Sequence, residues 1–141
     1  MAANPLTTDC DIQIRILVDD NNVQDGTASG VYIVDNRVSL GSSPQGSATL
    51  NTIARKNEKI CWRVEPLNPN SKSSFVIQTI GEIPAWGFSG GPRMSPDMGD
   101  AAFTGTVEAA CGATAYNIDI YASLEDGDEA TLSVKPSLAA S

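Results

Sequence analysis

Asp11-Ile-Gln-Ile-Arg-Ile-Leu-Val18 is the stretch on which the reading of this chain turns. Ile12, Ile14, Ile16 and Val18 share one parity, while Gln13 and Arg15 take the other. Side chains alternate across a strand, so this period of two predicts a half-buried β-strand. Asp19-Asp20-Asn21-Asn22 ends it, and Asp25-Gly26 adds a turn signal. The same alternation recurs in Lys59-Ile-Cys-Trp-Arg-Val-Glu65, where Ile60, Trp62 and Val64 share a face opposite Cys61, Arg63 and Glu65.

Further strands follow along the chain. Val31–Val34 is one, with Asp35-Asn36 a tight turn into another at Arg37–Leu40. Ala48–Ala54 reads as strand, and Arg55–Glu58 as a hairpin turn after it. Ser74–Ile80 is apolar on both faces in its first half, the pattern of a central strand. Phe103–Val107, Tyr116–Tyr121 and Thr131–Val134 complete the set, with Asp126-Gly127 a hairpin signal. Pro136 limits the last strand to an edge or ends it. Residues 41–46, 66–72 and 81–100 are loop by composition, and Ala109–Ala113 is small and featureless. About seven to nine short strands without a helix predict an all-β fold, an immunoglobulin-like antiparallel β-sandwich. The single domain is expected over residues 11–138, between an N-terminal tail (1–10) and a C-terminal tail (139–141).

No histidine occurs among the 141 residues. The commonest general base and the commonest metal ligand are therefore missing. No Gly-x-Ser-x-Gly elbow is present, and Cys111 has no Lys or Arg near it in sequence to stabilise a thiolate. Gly87-Phe-Ser-Gly-Gly91 lacks the Lys-Ser/Thr ending of a phosphate loop. A non-enzyme without cofactor or metal is expected. The acidic clusters are Asp19-Asp20 with Asp25, Asp97 with Asp100, and Glu125-Asp126-Asp128-Glu129. A calcium-loop frame begun at Asn21 fails at Val23 and Tyr32, so these clusters read as solvated turns.

The net charge of −8 opposes nucleic-acid binding, which draws its affinity from clustered Lys and Arg. No apolar run approaches the roughly 20 residues of a membrane span. The first residues lack the basic and apolar regions of a secretory signal, so a cytoplasmic location is expected. Cys10, Cys61 and Cys111 are an odd number without C-x-x-C spacing, which predicts free thiols in a reducing compartment. One bridge with one thiol left over is the alternative.

Pro84-Ala-Trp-Gly-Phe-Ser-Gly-Gly-Pro92 places Trp86 and Phe88 in irregular, Gly-rich chain, followed by Arg93 and Asp97. An aromatic face beside a guanidinium and a carboxylate can anchor a protein interface or stack on a sugar ring. Trp86, Phe88, Arg93 and Asp97 are thus the candidate binding or interface residues. With an open edge near Pro136, they predict self-association as a homodimer or higher oligomer. That association should tighten as salt screens the net charge. A small lectin-like carbohydrate-binding module, calcium-assisted through an acidic loop, is the alternative.

Several segments, in order, resemble the bacterial inclusion-body protein family (PixA/AidA-like). They are D-I-Q-I-R-I-L-V-D at 11–19, V-Y-I-V-D at 31–35, K-I-C-W-R-V at 59–64, N-I-D-I-Y-A-S-L-E-D-G at 117–127 and L-S-V-K-P-S-L at 132–138. Members end in a strand with an Asp-Pro step; Lys135-Pro136 stands there instead, so the family's Asp carries no role. The resemblance implies a cytoplasmic β-sandwich that accumulates or assembles, and it brings no catalytic residue. Far-UV circular dichroism of the purified chain should show less than about a quarter helix, below the share of an ordinary mixed domain.

Overall fold

Ile12, Ile14, Ile16 and Val18 are all buried, as are Ile60, Trp62 and Val64, and the two rows lie side by side. The strands carrying them are β1 (Ile12–Val18) and β4 (Lys59–Pro66), paired in parallel with Ile12 beside Ile60, Ile14 beside Trp62 and Ile16 beside Val64. Burying one such aliphatic side chain stabilises by roughly 1.5–3 kcal/mol, so this pair of rows is the spine of the core. The computed structural model describes residues 10–81, 83–87, 92–94 and 102–141.

Around that spine lie β2 (Val31–Asp35), β3 (Asn51–Ala54), β5 (Ser74–Ile80), β6 (Arg93–Met94), β7 (Ala102–Thr106), β8 (Cys111–Ala115), β9 (Ile118–Ser123), β10 (Glu129–Val134) and β11 (Ser137–Ala140). They form a five-stranded sheet in the order β2-β1-β4-β7-β6 and two three-stranded sheets, β10-β9-β5 and β3-β11-β8. The inner faces of all three meet in one apolar core. The fold is all-β and sandwich-like, and no helix of the described residues is long and apolar enough to cross a membrane.

Several details depart from the sequence reading. Eleven strands are present among the described residues. The sheets are mixed, because β1–β4 and β3–β11 pair in parallel. β5 lies at the edge of its sheet and is not central. Arg37–Leu40 is no strand: a 3-10 turn spans Val38–Leu40, set up by the Asp35 carboxylate accepting from the Arg37 N–H (2.9 Å). Arg55–Glu58 does not close a hairpin, since β3 and β4 belong to different sheets. β8 was hidden by its small residues, Cys-Gly-Ala-Thr-Ala, which carry no alternation. β11 takes in residues 139 and 140, assigned above to a tail, and is flanked on both sides by β3 and β8.

The edge expected near Pro136 is therefore closed. The chain passes from β10 through Lys135-Pro136 into an internal strand. The outer edge of β10 is covered too: Gly26 N–H donates to Thr131 O (2.7 Å), Ser133 N–H to Thr27 O (3.1 Å), and Asp25 accepts from the Thr131 N–H (2.7 Å). Residues 42–43 cover β3 in the same way, through paired Ser43–Asn51 backbone bonds and the Ser42 hydroxyl on the Ile53 N–H (2.9 Å).

Free thiols are not what the structure holds at two of the three cysteines. Cys10 and Cys61 form a disulfide with Cα atoms 5.8 Å apart, and Cys111 is free and half-buried. Cys61 sits opposite Gln13 in the parallel ladder, so Cys10, just ahead of β1, reaches it across adjacent chains. Iodoacetamide added to the unreduced protein should label Cys111 alone, and peptide mapping should join Cys10 to Cys61; three labelled thiols would remove the bridge. Trp62→Ala should destabilise the fold by about 3–5 kcal/mol in denaturant unfolding, because it empties a fully buried indole site. A loss under about 1 kcal/mol would place that indole outside the core.

Candidate functional site

Trp86 is inside the protein. The turn Pro84–Trp86 folds back after β5, and its indole is only 2% exposed. Trp62, Trp86 and Tyr116 meet pairwise edge to face, with ring centroids 5.5, 6.2 and 5.9 Å apart. Each indole N–H is satisfied: Trp62 donates to the Tyr116 hydroxyl (3.1 Å) and Trp86 to Gly81 O (2.9 Å). Burial pushes the Tyr116 phenol far above its usual range, the Trp62 bond acting weakly against it, so this hydroxyl is a structural post. The displayed role expected of Trp86 is thus corrected. A large amphipathic ring buries more area in a core than a loop tip offers, and its N–H finds a carbonyl there. Phe88 and Asp97 lie outside the described residues. Arg93 is exposed on β6.

Gly87 holds this turn against its neighbour. Its φ of 67° lies in the left-handed region, and a Cβ there would sit 2.7 Å from the Glu108 Cβ. The Glu108 and Ala109 N–H groups both donate to Ala85 O, at 2.7 and 3.2 Å. Pro84–Gly87, the first part of the stretch that looked like a display loop, is a plug.

At one end of the sandwich, an open depression of about 180 Å³ is lined by Asp20, Asn21, Ser73, Leu124, Glu125 and Asp126. Two of the acidic clusters meet here, which sequence spacing could not show. The Asp20 carboxylate accepts from the Ser71 hydroxyl (2.6 Å) and the Ser73 hydroxyl (2.8 Å), and these bonds hold its pKa below the ordinary value. Glu125 accepts from the Lys72 N–H (2.9 Å) and donates its own N–H to Ser73 (3.0 Å). These carboxylates tie three loops together. Among the described residues no three Cys, Asp or Glu side chains are grouped to hold a metal ion.

The outer face of the five-stranded sheet is the other place where functional side chains gather. The ladder places Arg15 of β1 beside Arg63 of β4, and Arg63 opposite Ala102 of β7. Arg93 of β6 pairs with Thr104, on the same face. Tyr32 and Val34 of β2 stand beside Leu17 and Arg15. Tyr32 is 39% exposed, one of three exposed large hydrophobics among the described residues. Arg15 is bonded to Glu65, its Nε donating to Oε1 at 2.6 Å. The outward direction of Arg15 and Arg63 was legible from parity, but not that they are neighbours.

The architecture is similar to that of the inclusion body protein PixA from Burkholderia cenocepacia J2315, with a TM-score of 0.66 at 14% identity, covering 92% of this chain and 94% of that one. A 2,6-sialyltransferase from Vibrionaceae Photobacterium sp. JT-ISH-224 aligns at a TM-score of 0.35 and 14% identity, over 64% of this chain and 17% of that one, too little to argue from. No curated protein matches. The resemblance to inclusion body proteins read from the strand segments therefore stands at the level of the fold. Residues 10–129, from Cys10 through the first residue of β10, match one sequence family, and the chain belongs to it: Domain of unknown function (DUF8788).

Proposed function

We propose that this chain is a non-enzymatic, inclusion-body-type β-sandwich protein whose activity is self-association. The observation that carries the reading is the fold shared with PixA over nearly the whole of both chains. What that neighbour is called, an inclusion body protein, is a property of assembly and not of catalysis. The absence of histidine from the sequence supports the same side. A cytoplasmic location belongs to this reading and rests on the fold likeness alone, because the Cys10–Cys61 bond withdraws the support from free thiols.

Two parts of the interface first expected fall away: Trp86 is buried and the edge near Pro136 is closed, while Arg93 stays exposed on β6. The lectin-like alternative loses its stacking ring for the same reason. It keeps the Asp20–Glu125 depression, whose carboxylates already accept from Ser71, Ser73 and Lys72. Static light scattering across protein concentration tests the proposal: the mean mass should rise above that of one 14.8 kDa chain as concentration increases. A mass fixed at one chain under all salt conditions would overturn it.

A further inference from the structure

Two arginines stand side by side on the outer face of the five-stranded sheet, and nothing in the fold requires it. Arg15 and Arg63 are register partners on neighbouring strands. Like charges directly opposed across strands are destabilising. Glu65 relieves one of them by pairing with Arg15. Arg63 and Arg93 make no side-chain hydrogen bond or ion pair among the described residues. A chain of net charge −8 with nine basic residues thus spends three of them on one face, two without a partner among the described residues. Tyr32 shares that face, and Arg and Tyr are the side chains that most often anchor interfaces.

The complementary surface is on the same chain, in a place the arginines do not touch. The β9–β10 hairpin tip is Glu125-Asp126-Gly127-Asp128-Glu129, exposed throughout. It is a formed turn: Leu124 N–H donates to Asp128 O (2.8 Å), Gly127 N–H to Leu124 O (2.9 Å), and Asp128 N–H to the Asp126 carboxylate (2.9 Å). Its strands belong to a different sheet from the arginines. Guanidinium groups bind carboxylates in a planar, two-bonded geometry, so the two surfaces match in charge and in chemistry.

We propose that the outer face carrying Arg15, Arg63 and Arg93 docks the acidic β9–β10 hairpin of a second copy, head to tail. This rests on the self-association reading and names its interface. Because the two surfaces differ, the contact is heterologous. Each copy leaves one face and one hairpin free, so the assembly is open-ended unless its rotation closes a ring. The salt dependence reverses the one expected from net charge. Attraction between local faces is screened over about 10 Å at 0.1 M salt, so association should weaken as salt rises.

Two variants test it by sedimentation velocity, each checked for an unchanged thermal midpoint. One is Arg63→Glu with Arg93→Glu, and the other Asp126→Lys with Asp128→Lys. Each alone should dissociate at least about tenfold more readily than wild type. Mixed one to one, they should assemble again, since the native hairpin of one meets the arginine face of the other and the lysine hairpin meets the glutamate face. The hairpin variant lies on an exposed turn and carries the test if the face variant does not fold. Variants that assemble like wild type, or wild-type assembly that strengthens with salt, would overturn the docking mode and leave self-association standing. Wild-type protein that stays monomeric at every salt concentration would overturn both.

Discussion

Three rings hold this protein in its shape. Trp62 comes from β4, Trp86 from the turn after β5, and Tyr116 from the step between β8 and β9, and each meets the other two edge to face. Such contacts add about 0.5–1.5 kcal/mol each beyond the area they bury. Their greater effect is positional. Tyr116 also gives its N–H to Pro136 O, which brings β11 alongside β8, and Trp86 ties Gly81 and residues 83–87 to the core. Gly105 makes room for this packing, since a Cβ there would lie 3.2 Å from the Trp62 ring. One cluster thus links parts of all three sheets.

Polar contacts then set the two ends. At the start of β1 and β4, Arg37 pairs with Glu58 (2.6 Å) and reaches Asp11 O, while the Asp11 carboxylate accepts from the Lys59 N–H (3.0 Å). Both members of the Arg37–Glu58 pair are largely shielded, and Glu58 also accepts from the Arg55 N–H (2.7 Å). At the other end Asp20, Ser71, Ser73 and Glu125 join three loops. Acidic residues here act as loop staples, which uses oxygen lone pairs that a bound cation would need. The hairpin carboxylates of Asp126 and Asp128 remain turned outward, and so do the arginines of the five-stranded sheet.

Alternation made most of the strands legible because it is a local property. β1, β4, β9 and β10 could each be read from a few residues, and the inward direction of Trp62 came from the same parity. β8 and β11 were not legible, since Cys-Gly-Ala-Thr-Ala and Ser-Leu-Ala-Ala lack contrast between apolar and polar side chains. The candidate site fared worse for a physical reason. Trp86 lies among Gly and Pro, which mark irregular chain but say nothing about burial, and the carbonyl and rings that receive it come from elsewhere in the chain.

The sequence by itself determined that this is an all-β chain with rows of isoleucine inside, arginines turned outward on β1 and β4, and no imidazole for catalysis or metal binding. Only the tertiary structure decided that β1 and β4 run parallel, that Arg15 meets Arg63, that Cys10 bonds Cys61 and that Trp86 is interior. The division follows from distance. A period of two is written within a few neighbouring residues, whereas register couples residues some fifty positions apart and leaves no local trace in either segment.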